Sequence, residues 1–98
     1  MINPETLIIK LKEIGVTFFT GVPDSLLNDF CLALESLCGN NNIIAANEGN
    51  AIGIAAGHYI ATGNIPVVYM QNSGIGNAMN PLISLAHKNV YSIPMILV

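Results

Sequence analysis

The chain has 98 residues, enough for one domain or part of one, and 52% of them are apolar while only 9% are charged. Soluble domains carry about 25% charged residues, so we expect a partner or further sequence to cover much of this surface. The formal net charge is -3, and the three basic residues are all lysines, which excludes the basic face that nucleic acid binding requires. No apolar run approaches the roughly 20 residues that span a bilayer, and the acidic start does not resemble a signal peptide. We therefore expect a cytoplasmic protein.

The first half of the chain alternates helix and strand signals. Asn3 followed by Pro4 predicts a helix start, and apolar residues at helical spacing extend this helix over residues 4–14. The run VTFFTG predicts a strand. The following loop, GVPDS, offers Asp24 or Ser25 as the N-cap of a second helix.

The second half continues this alternation. The run IIAA, at residues 43–46, predicts a short buried strand, and a third helix follows and ends at Gly63. IPVVYMQ predicts a strand that is covered on both faces, because its apolar residues do not alternate with polar ones. A fourth helix is predicted from Ala78 to His87, and the final run SIPMILV predicts a fourth strand. This order predicts a doubly wound α/β fold with a parallel sheet, and the apolar end suggests an incomplete single domain.

Three loops follow the first three predicted strands, namely GVPDS, ANEGN and QNSGIGN. Ligands of parallel α/β proteins bind beyond the carboxyl ends of the strands, so we expect these loops to meet at one edge of the sheet. GVPDS either presents backbone N–H groups and the Ser25 hydroxyl to a small anion or is a proline turn with a helix N-cap. QNSGIGN lacks the third glycine of a dinucleotide fingerprint, so Gly74 and Gly76 predict a tight turn instead.

The segment AANEGNAIGIAAG contains a single charged residue, Glu48, at the junction between a strand and the third helix. The helix dipole favours the carboxylate there, whereas the apolar neighbours favour the neutral acid, so a bound ligand could set its protonation. The alternative is that Glu48 only complements the dipole in the first helical turn, although Asn47 or Asn50 could cap the helix without a charge. The residues alone leave both interpretations open.

A stripe of small residues runs along the third helix, because Gly53, Gly57 and Ala61 recur every four positions. Each interior glycine costs about 1 kcal/mol relative to alanine, and a closely packed neighbour would offset that cost. We expect this neighbour to be either the sheet of the same chain or a second subunit, and the low charge favours the subunit.

Three segments, FFTGVPDSLLNDF, ANEGNAIGIAAGHYIATG and VVYMQNSGIGNAMNPL with its continuation, occur in an order that resembles the N-terminal, pyrimidine-binding domain of thiamine-diphosphate-dependent decarboxylases. The resemblance runs from Glu5 to Val98 and identifies residues 1–98 as such a domain, truncated at its C-terminal end. GVPDSLL together with QNSGIGNAMNPL is most similar to the phosphonopyruvate decarboxylases, with the α chain of the sulfopyruvate decarboxylases close behind.

This resemblance implies that the complete protein converts phosphonopyruvate to phosphonoacetaldehyde and carbon dioxide, and that the present piece is inactive alone. Decarboxylation of sulfopyruvate is the alternative within the family. A non-enzymatic, flavodoxin-like binding or interaction module is the alternative outside it, with Glu48 as a dipole acid and the glycine stripe as an interface.

The resemblance also implies roles for individual residues. Glu48 is expected to hydrogen-bond the aminopyrimidine of thiamine diphosphate and to act in its proton relay, a role that suits a single acid in a dry pocket. Asp24 and Ser25 lie in the loop that faces the substrate in related decarboxylases, and which of the two faces it stays open. Asn72 and Ser73 fall in the loop that borders the cofactor.

Members of this family hold the diphosphate through Mg²⁺ with a G-D-G…N motif in a second domain, and this chain contains no G-D-G. We expect no metal site from its own residues either, because His58 and His87 lack Cys, Asp or Glu at ligand spacing. The resemblance therefore implies a second, diphosphate-binding domain or subunit and a homo-oligomer in which the active site forms between subunits.

Overall fold

The computed structural model describes residues 3–87 and 92–98, apart from the side chains of Leu26 and Asn72. Helices and strands alternate in the predicted order, with the bounds α1 Pro4–Glu13, β1 Phe19–Gly21, α2 Asn28–Cys38, β2 Asn42–Ile44, α3 Glu48–Thr62, β3 Val67–Tyr69, α4 Ile75–Leu85 and β4 Ile96–Leu97. Short 3₁₀ turns lie at Ser25–Leu27, Gly39–Asn41 and Asn72–Gly74. Within the described ranges, none of the helices combines the length and apolar character that crossing a membrane requires.

The strands of the described residues form one parallel sheet in the order β2-β1-β3-β4. Phe19 of β1 is in register with Asn42 of β2 and with Val67 of β3, and Val67 is in register with Ile96 of β4. The chain thus moves outward from β1 to β2, returns past β1 to β3 and continues to β4. This reversal creates a topological switch point between β1 and β3, which is where open α/β sheets bind ligands.

Helices cover both faces of the sheet, because successive strand residues point to opposite sides. Phe19, Val67 and Tyr69 pack with α1 and α2, whereas Val68 and Met70 pack with α3 and α4. The three residues of β3 are fully buried, as expected for a strand covered on both faces. The predicted doubly wound parallel architecture is therefore confirmed.

The strand β2 differs from the buried strand predicted over residues 43–46. It covers Asn42–Ile44 and lies at the edge of the sheet, where Ile43 is 44% exposed and Ile44 is 65% exposed. The prediction of burial was wrong because an apolar run does not reveal which strand takes the edge position.

The start of α2 also differs from the prediction. Residues Ser25–Leu27 form a 3₁₀ turn, and the N-cap of α2 is Leu27, which makes no side-chain capping bond. The amide of Leu27 donates to the backbone carbonyl of Asp24 at 2.9 Å. Neither Asp24 nor Ser25 is therefore the side-chain N-cap of this helix, because the chain enters it through a tighter turn.

The two glycines of the small-residue stripe of α3 do not pack against any other described element of the chain. Gly53, Gly57 and Ala61 are exposed, and a Cβ added at either glycine would meet no described atom within 4 Å. The intrachain explanation is thus wrong for the part of the chain that the structure describes, and the second subunit stays a prediction. Instead, α3 approaches α4 at its first turn, where a Cβ on Gly49 would lie 3.2 Å from the Asn77 carbonyl oxygen.

Candidate active site

Glu48 is the first residue of α3 and its side chain contacts a second helix. The N-cap is Asn47, whose Oδ1 accepts a hydrogen bond from the Asn50 amide at 2.9 Å, as the sequence allowed. Glu48 is half-buried, and its Oε2 accepts a hydrogen bond from Nδ2 of Asn77 in α4 at 3.1 Å. Glu48 thus contacts α4 as well as lying in the first turn of its own helix, and its catalytic role stays a prediction.

Gly74 lies against the carboxyl group of Glu48. A Cβ at this position would be 2.6 Å from both Cγ and Oε1 of Glu48, a distance that real Cβ contacts do not reach. Gly74 ends the 3₁₀ turn Asn72–Gly74, so the predicted tight turn is present, but its φ of −78° and ψ of −12° can be adopted by any residue. A larger residue at this position would have to displace the Glu48 side chain, because the backbone approaches it closely. At Gly76, by contrast, a Cβ would meet no described atom within 4 Å.

Asp24 lies in the loop that follows β1, and its side chain is hydrogen-bonded to a residue in the loop that follows β3. Its Oδ2 accepts a hydrogen bond from Nε2 of Gln71 at 2.7 Å, and both side chains are half-buried. Ser25 begins the 3₁₀ turn and is exposed. The structure therefore joins the GVPDS loop to the QNSGIGN loop, while Asp24 and Ser25 as substrate-facing residues stay a prediction.

Asn72 and Ser73 occupy the 3₁₀ turn between Gln71 and α4. Ser73 is exposed, and the side chain of Asn72 lies outside what the structure describes. The amide of Gly74 donates to the Gln71 carbonyl at 2.9 Å, which closes this turn. The turn brings the backbone of Gly74 to Glu48, so the loops after β2 and β3 meet, as predicted.

Tyr69 and Gly21 are the last residues of the neighbouring strands β3 and β1, and both are buried. A Cβ on Gly21 would lie 2.5 Å from Cδ2 of Tyr69, so only glycine lets the ring cross β1 at this point. The Tyr69 hydroxyl donates to Oδ1 of Asn42 at 2.7 Å, and burial raises the pKa of Tyr69 to about 12. At neutral pH this hydroxyl is therefore a hydrogen-bond donor and not a base.

Two residues of this site, Gln71 and Asn77, were missed in the sequence. Both are neutral amides, and each donates to one of the two acids, Asp24 and Glu48. Amides are common in loops and helix starts, so composition gave no reason to single these out. Their position in the loop and helix that follow β3 was the available signal, because the expected site lies at the carboxyl ends of the strands.

The geometry fits the pyrimidine half of thiamine diphosphate. A carboxyl group is fixed by one amide donor over a glycine backbone, next to the open carboxyl ends of the strands. Such a group can exchange a proton with a ring nitrogen at hydrogen-bond distance. Glu48 would contact the ring, and Asn77 with Gly74 would hold Glu48.

Comparison with known proteins agrees with this fit. Residues 4–98 match the profile of the family described as thiamine pyrophosphate enzyme, N-terminal TPP binding domain. Phosphonopyruvate decarboxylase of Streptomyces viridochromogenes is 37% identical over 87 residues, which are 89% of this chain and 22% of that protein. Sulfopyruvate decarboxylase subunit alpha of Methanocaldococcus jannaschii is 38% identical over 88 residues, which are 90% of this chain and 50% of that subunit.

A solved structure is also similar. It comes from Mycobacterium smegmatis and is provisionally described as a thiamin diphosphate-dependent enzyme, with a TM-score of 0.75 and 25% sequence identity. The match covers 98% of this chain and 18% of that one. The present chain thus spans half or less of the length of each of these relatives.

Proposed function

The chain belongs to the family of thiamine pyrophosphate enzyme N-terminal TPP binding domains, and from this premise we propose that residues 1–98 form the pyrimidine-binding domain of a 2-oxo acid decarboxylase. The complete enzyme converts phosphonopyruvate to phosphonoacetaldehyde and carbon dioxide. Bound thiamine diphosphate supplies the electron sink for the loss of carbon dioxide. A second domain or subunit holds the diphosphate through Mg²⁺, and this chain alone is inactive.

The observation that carries the proposal is the way Glu48 is held. Oε2 accepts a hydrogen bond from Nδ2 of Asn77, which orients the carboxyl group. In the complete enzyme this carboxyl group gives a proton to the pyrimidine ring or takes one from it. The backbone of Gly74 lies close to this carboxyl group, where a side chain at position 74 would collide with it. Glu48 is therefore the catalytic residue that this domain contributes.

The remaining site residues bind and orient. Asp24 and Ser25 are assigned to the substrate side, and Asn72 and Ser73 to the border of the cofactor. Asp24 is fixed by Gln71 at the switch point of the sheet, where ligands of such folds bind. We further assign the enzyme to the cytoplasm and to a homo-oligomeric state.

Sulfopyruvate is the second candidate substrate. It is supported by the 38% identity to a sulfopyruvate decarboxylase subunit alpha, against 37% to a phosphonopyruvate decarboxylase. Both acids carry a 2-oxo carboxylate and a second, anionic group, so the same site chemistry applies to either. The measured rates of carbon dioxide release from the two acids decide between them.

The test uses the complete enzyme with thiamine diphosphate and Mg²⁺. Glu48→Gln should lower turnover by about 10²-fold or more, since general acid–base catalysis contributes about 10²–10⁴-fold, while the thermal midpoint stays near that of the unmodified enzyme. Glu35→Gln is the matched control, because Glu35 is exposed on α2 and its loss changes the net charge equally. Turnover of Glu48→Gln at the unmodified rate would refute the proposed role.

A second measurement concerns this chain by itself. Calorimetric titration with thiamine diphosphate and Mg²⁺ should give no measurable heat of binding, because the diphosphate site belongs to the second domain or subunit. Tight binding to the chain alone would contradict the assignment of residues 1–98. It would instead fit a self-contained binding module.

A further inference from the structure

Gln71 lies where the two central strands leave the sheet side by side. Gly21, the last residue of β1, is in register with Tyr69, the last residue of β3. The missing Cβ of Gly21 lets these strand ends pack closely against each other. Side chains a few residues beyond the two strands can therefore meet, although they are 47 positions apart in the chain.

The contacts of Gln71 reach both halves of the site. Its side-chain Nε2 donates to Oδ2 of Asp24 at 2.7 Å. Its backbone carbonyl accepts from the Gly74 amide at 2.9 Å and so closes the turn that brings Gly74 to the Glu48 carboxyl group. One residue thus links the acid of the GVPDS loop to the acid of α3.

The geometry points to Gln71 as a positioning residue that fixes Asp24 relative to Glu48 in the decarboxylase, and this role rests on the proposed function. Gln71 is neutral, so its hydrogen bond orients the Asp24 carboxylate without adding a counter-charge. The substrate-side loop and the cofactor-side loop then hold one fixed separation, which a reaction between two bound molecules requires. Gln71 acts on the reaction only through Asp24 and the Gly74 turn.

The first test measures steady-state kinetics of the complete enzyme with phosphonopyruvate and sulfopyruvate. Gln71→Glu keeps the size of the side chain but turns the donor into a second carboxylate that repels Asp24. We expect about a tenfold fall in kcat/KM, mainly through a higher KM, since Asp24 lies on the substrate side. Asn64→Asp is the control, because Asn64 is an exposed amide in the loop before β3 and the change in charge is the same.

The second test introduces the same Gln71→Glu substitution into an enzyme that already carries Asp24→Asn. The amide introduced at position 24 can donate to the carboxylate introduced at position 71, which restores the hydrogen bond with donor and acceptor reversed. The tenfold loss caused by Gln71→Glu should therefore vanish in this background. The same loss in both backgrounds, or a loss in neither, would overturn the inference, because it would mean that Gln71 does not act through Asp24.

A readout independent of turnover accompanies the kinetics. The thermal midpoint of the complete enzyme should fall by about 2–4 °C for Gln71→Glu when Asp24 is present, and by less than half of this in the Asp24→Asn background. If the unmodified enzyme decarboxylates neither acid, the proposed function fails. The comparison of thermal midpoints in the two backgrounds still decides whether the Gln71 side chain binds Asp24. Equal shifts in the two backgrounds would exclude the contact.

Discussion

The two helical layers on either face of the sheet are built differently. The layer of α1 and α2 carries many charges on its outer surface, from Glu5, Lys10, Lys12, Glu13, Asp29 and Glu35. The layer of α3 and α4 carries Glu48 as its single charged residue. Exposed apolar side chains take the place of charges on this second layer, namely Ile60, Ile75, Met79 and Ile83. The layer of α1 and α2 also exposes Ile9, Ile14 and Leu32, but these lie among charged residues. The nearly uncharged outer face of α3 and α4 is better suited to contact with protein or ligand.

The buried sides of the two layers differ as well. The first is filled by large side chains such as Phe19, Phe30 and Leu34, whereas the second relies on small ones such as Ala51 and Ala55. Small residues let helix backbones approach closely, and α3 and α4 do so where Glu48 receives its hydrogen bond from α4. The layer of α3 and α4 therefore buries less apolar area per residue, but its small side chains let the two helices approach each other at Glu48.

The largest expected effect on the free energy of unfolding comes from the core beneath α1 and α2. Leu34→Ala should lower the free energy of unfolding by about 2–5 kcal/mol, because it opens a cavity in the larger core. Leu32→Ala, two residues away on the same helix, should change it by no more than about 0.5 kcal/mol. Leu34 is 0% exposed and Leu32 is 55% exposed. Denaturant titration measures both, and equal costs would contradict the described core.

A smaller effect is expected from crowding the second layer. Ala55 is 0% exposed within α3, so Ala55→Leu should cost about 1–3 kcal/mol through overpacking. Ala46→Leu is the matched control, because Ala46 is an exposed alanine just before the same helix and outside the glycine stripe. If the two variants unfold at the same denaturant concentration, the close packing of this layer is refuted.

Tyr69 offers a pH-dependent test of the first layer. Burial raises its pKa in the folded chain to about 12, above the value of about 10 in the unfolded chain. The unfolded state therefore loses this proton first as pH rises, and the stability that is present below pH 10 declines between about pH 10 and 12. Tyr69→Phe should remove this part of the decline and cost about 1 kcal/mol at pH 7 through the lost hydrogen bond.

The control for this measurement is Tyr59→Phe, since Tyr59 lies on α3 in the other layer. This variant should retain the decline in unfolding free energy above pH 10. Unfolding titrations between pH 7 and 12 measure both variants. If Tyr69→Phe and the unmodified chain lose stability in parallel, Tyr69 is not the group that carries this pH dependence.

The smallest effect on stability is expected from a substitution on the exposed apolar surface of α3 and α4. We expect this chain to self-associate, and Ile83→Lys should weaken the association while changing unfolding by no more than about 0.5 kcal/mol. Ile14→Lys places the same charge at the end of α1 and should leave the association intact. Ile83 is 56% exposed and Ile14 is 71% exposed. Sedimentation over a range of concentrations gives the answer, and a monomeric unmodified chain would contradict the expectation.

Much of the fold could be predicted, because it depends on local signals. Asn3 with Pro4 fixes the start of α1, Asn47 caps α3, and the residues of β3 are buried on both faces as their composition indicated. The edge position of Ile44 and the 3₁₀ turn after Asp24 were not predicted. Strand order and the path into a helix depend on what packs alongside, which no local window contains.

The candidate site also has a part that local sequence predicted and a part that depends on distant contacts. Glu48 could be singled out because a lone acid among apolar residues is conspicuous in any window. Its partner Asn77 lies 29 positions away, and the Gln71 donor to Asp24 lies 47 positions away. Gly74 was singled out for a tight turn, which is present, whereas its close approach to Glu48 was not predicted.

The sequence by itself determined the alternation of helices and strands, the parallel sheet and the presence of one conspicuous acid, because hydrophobic periodicity and capping act over a few residues. The tertiary structure alone decided that β1 and β3 are neighbours and that α3 meets α4 at Glu48. It also decided that one layer keeps an apolar outer face. These features arise from contacts between distant segments, whose energies depend on the completed packing and not on any one stretch of the chain.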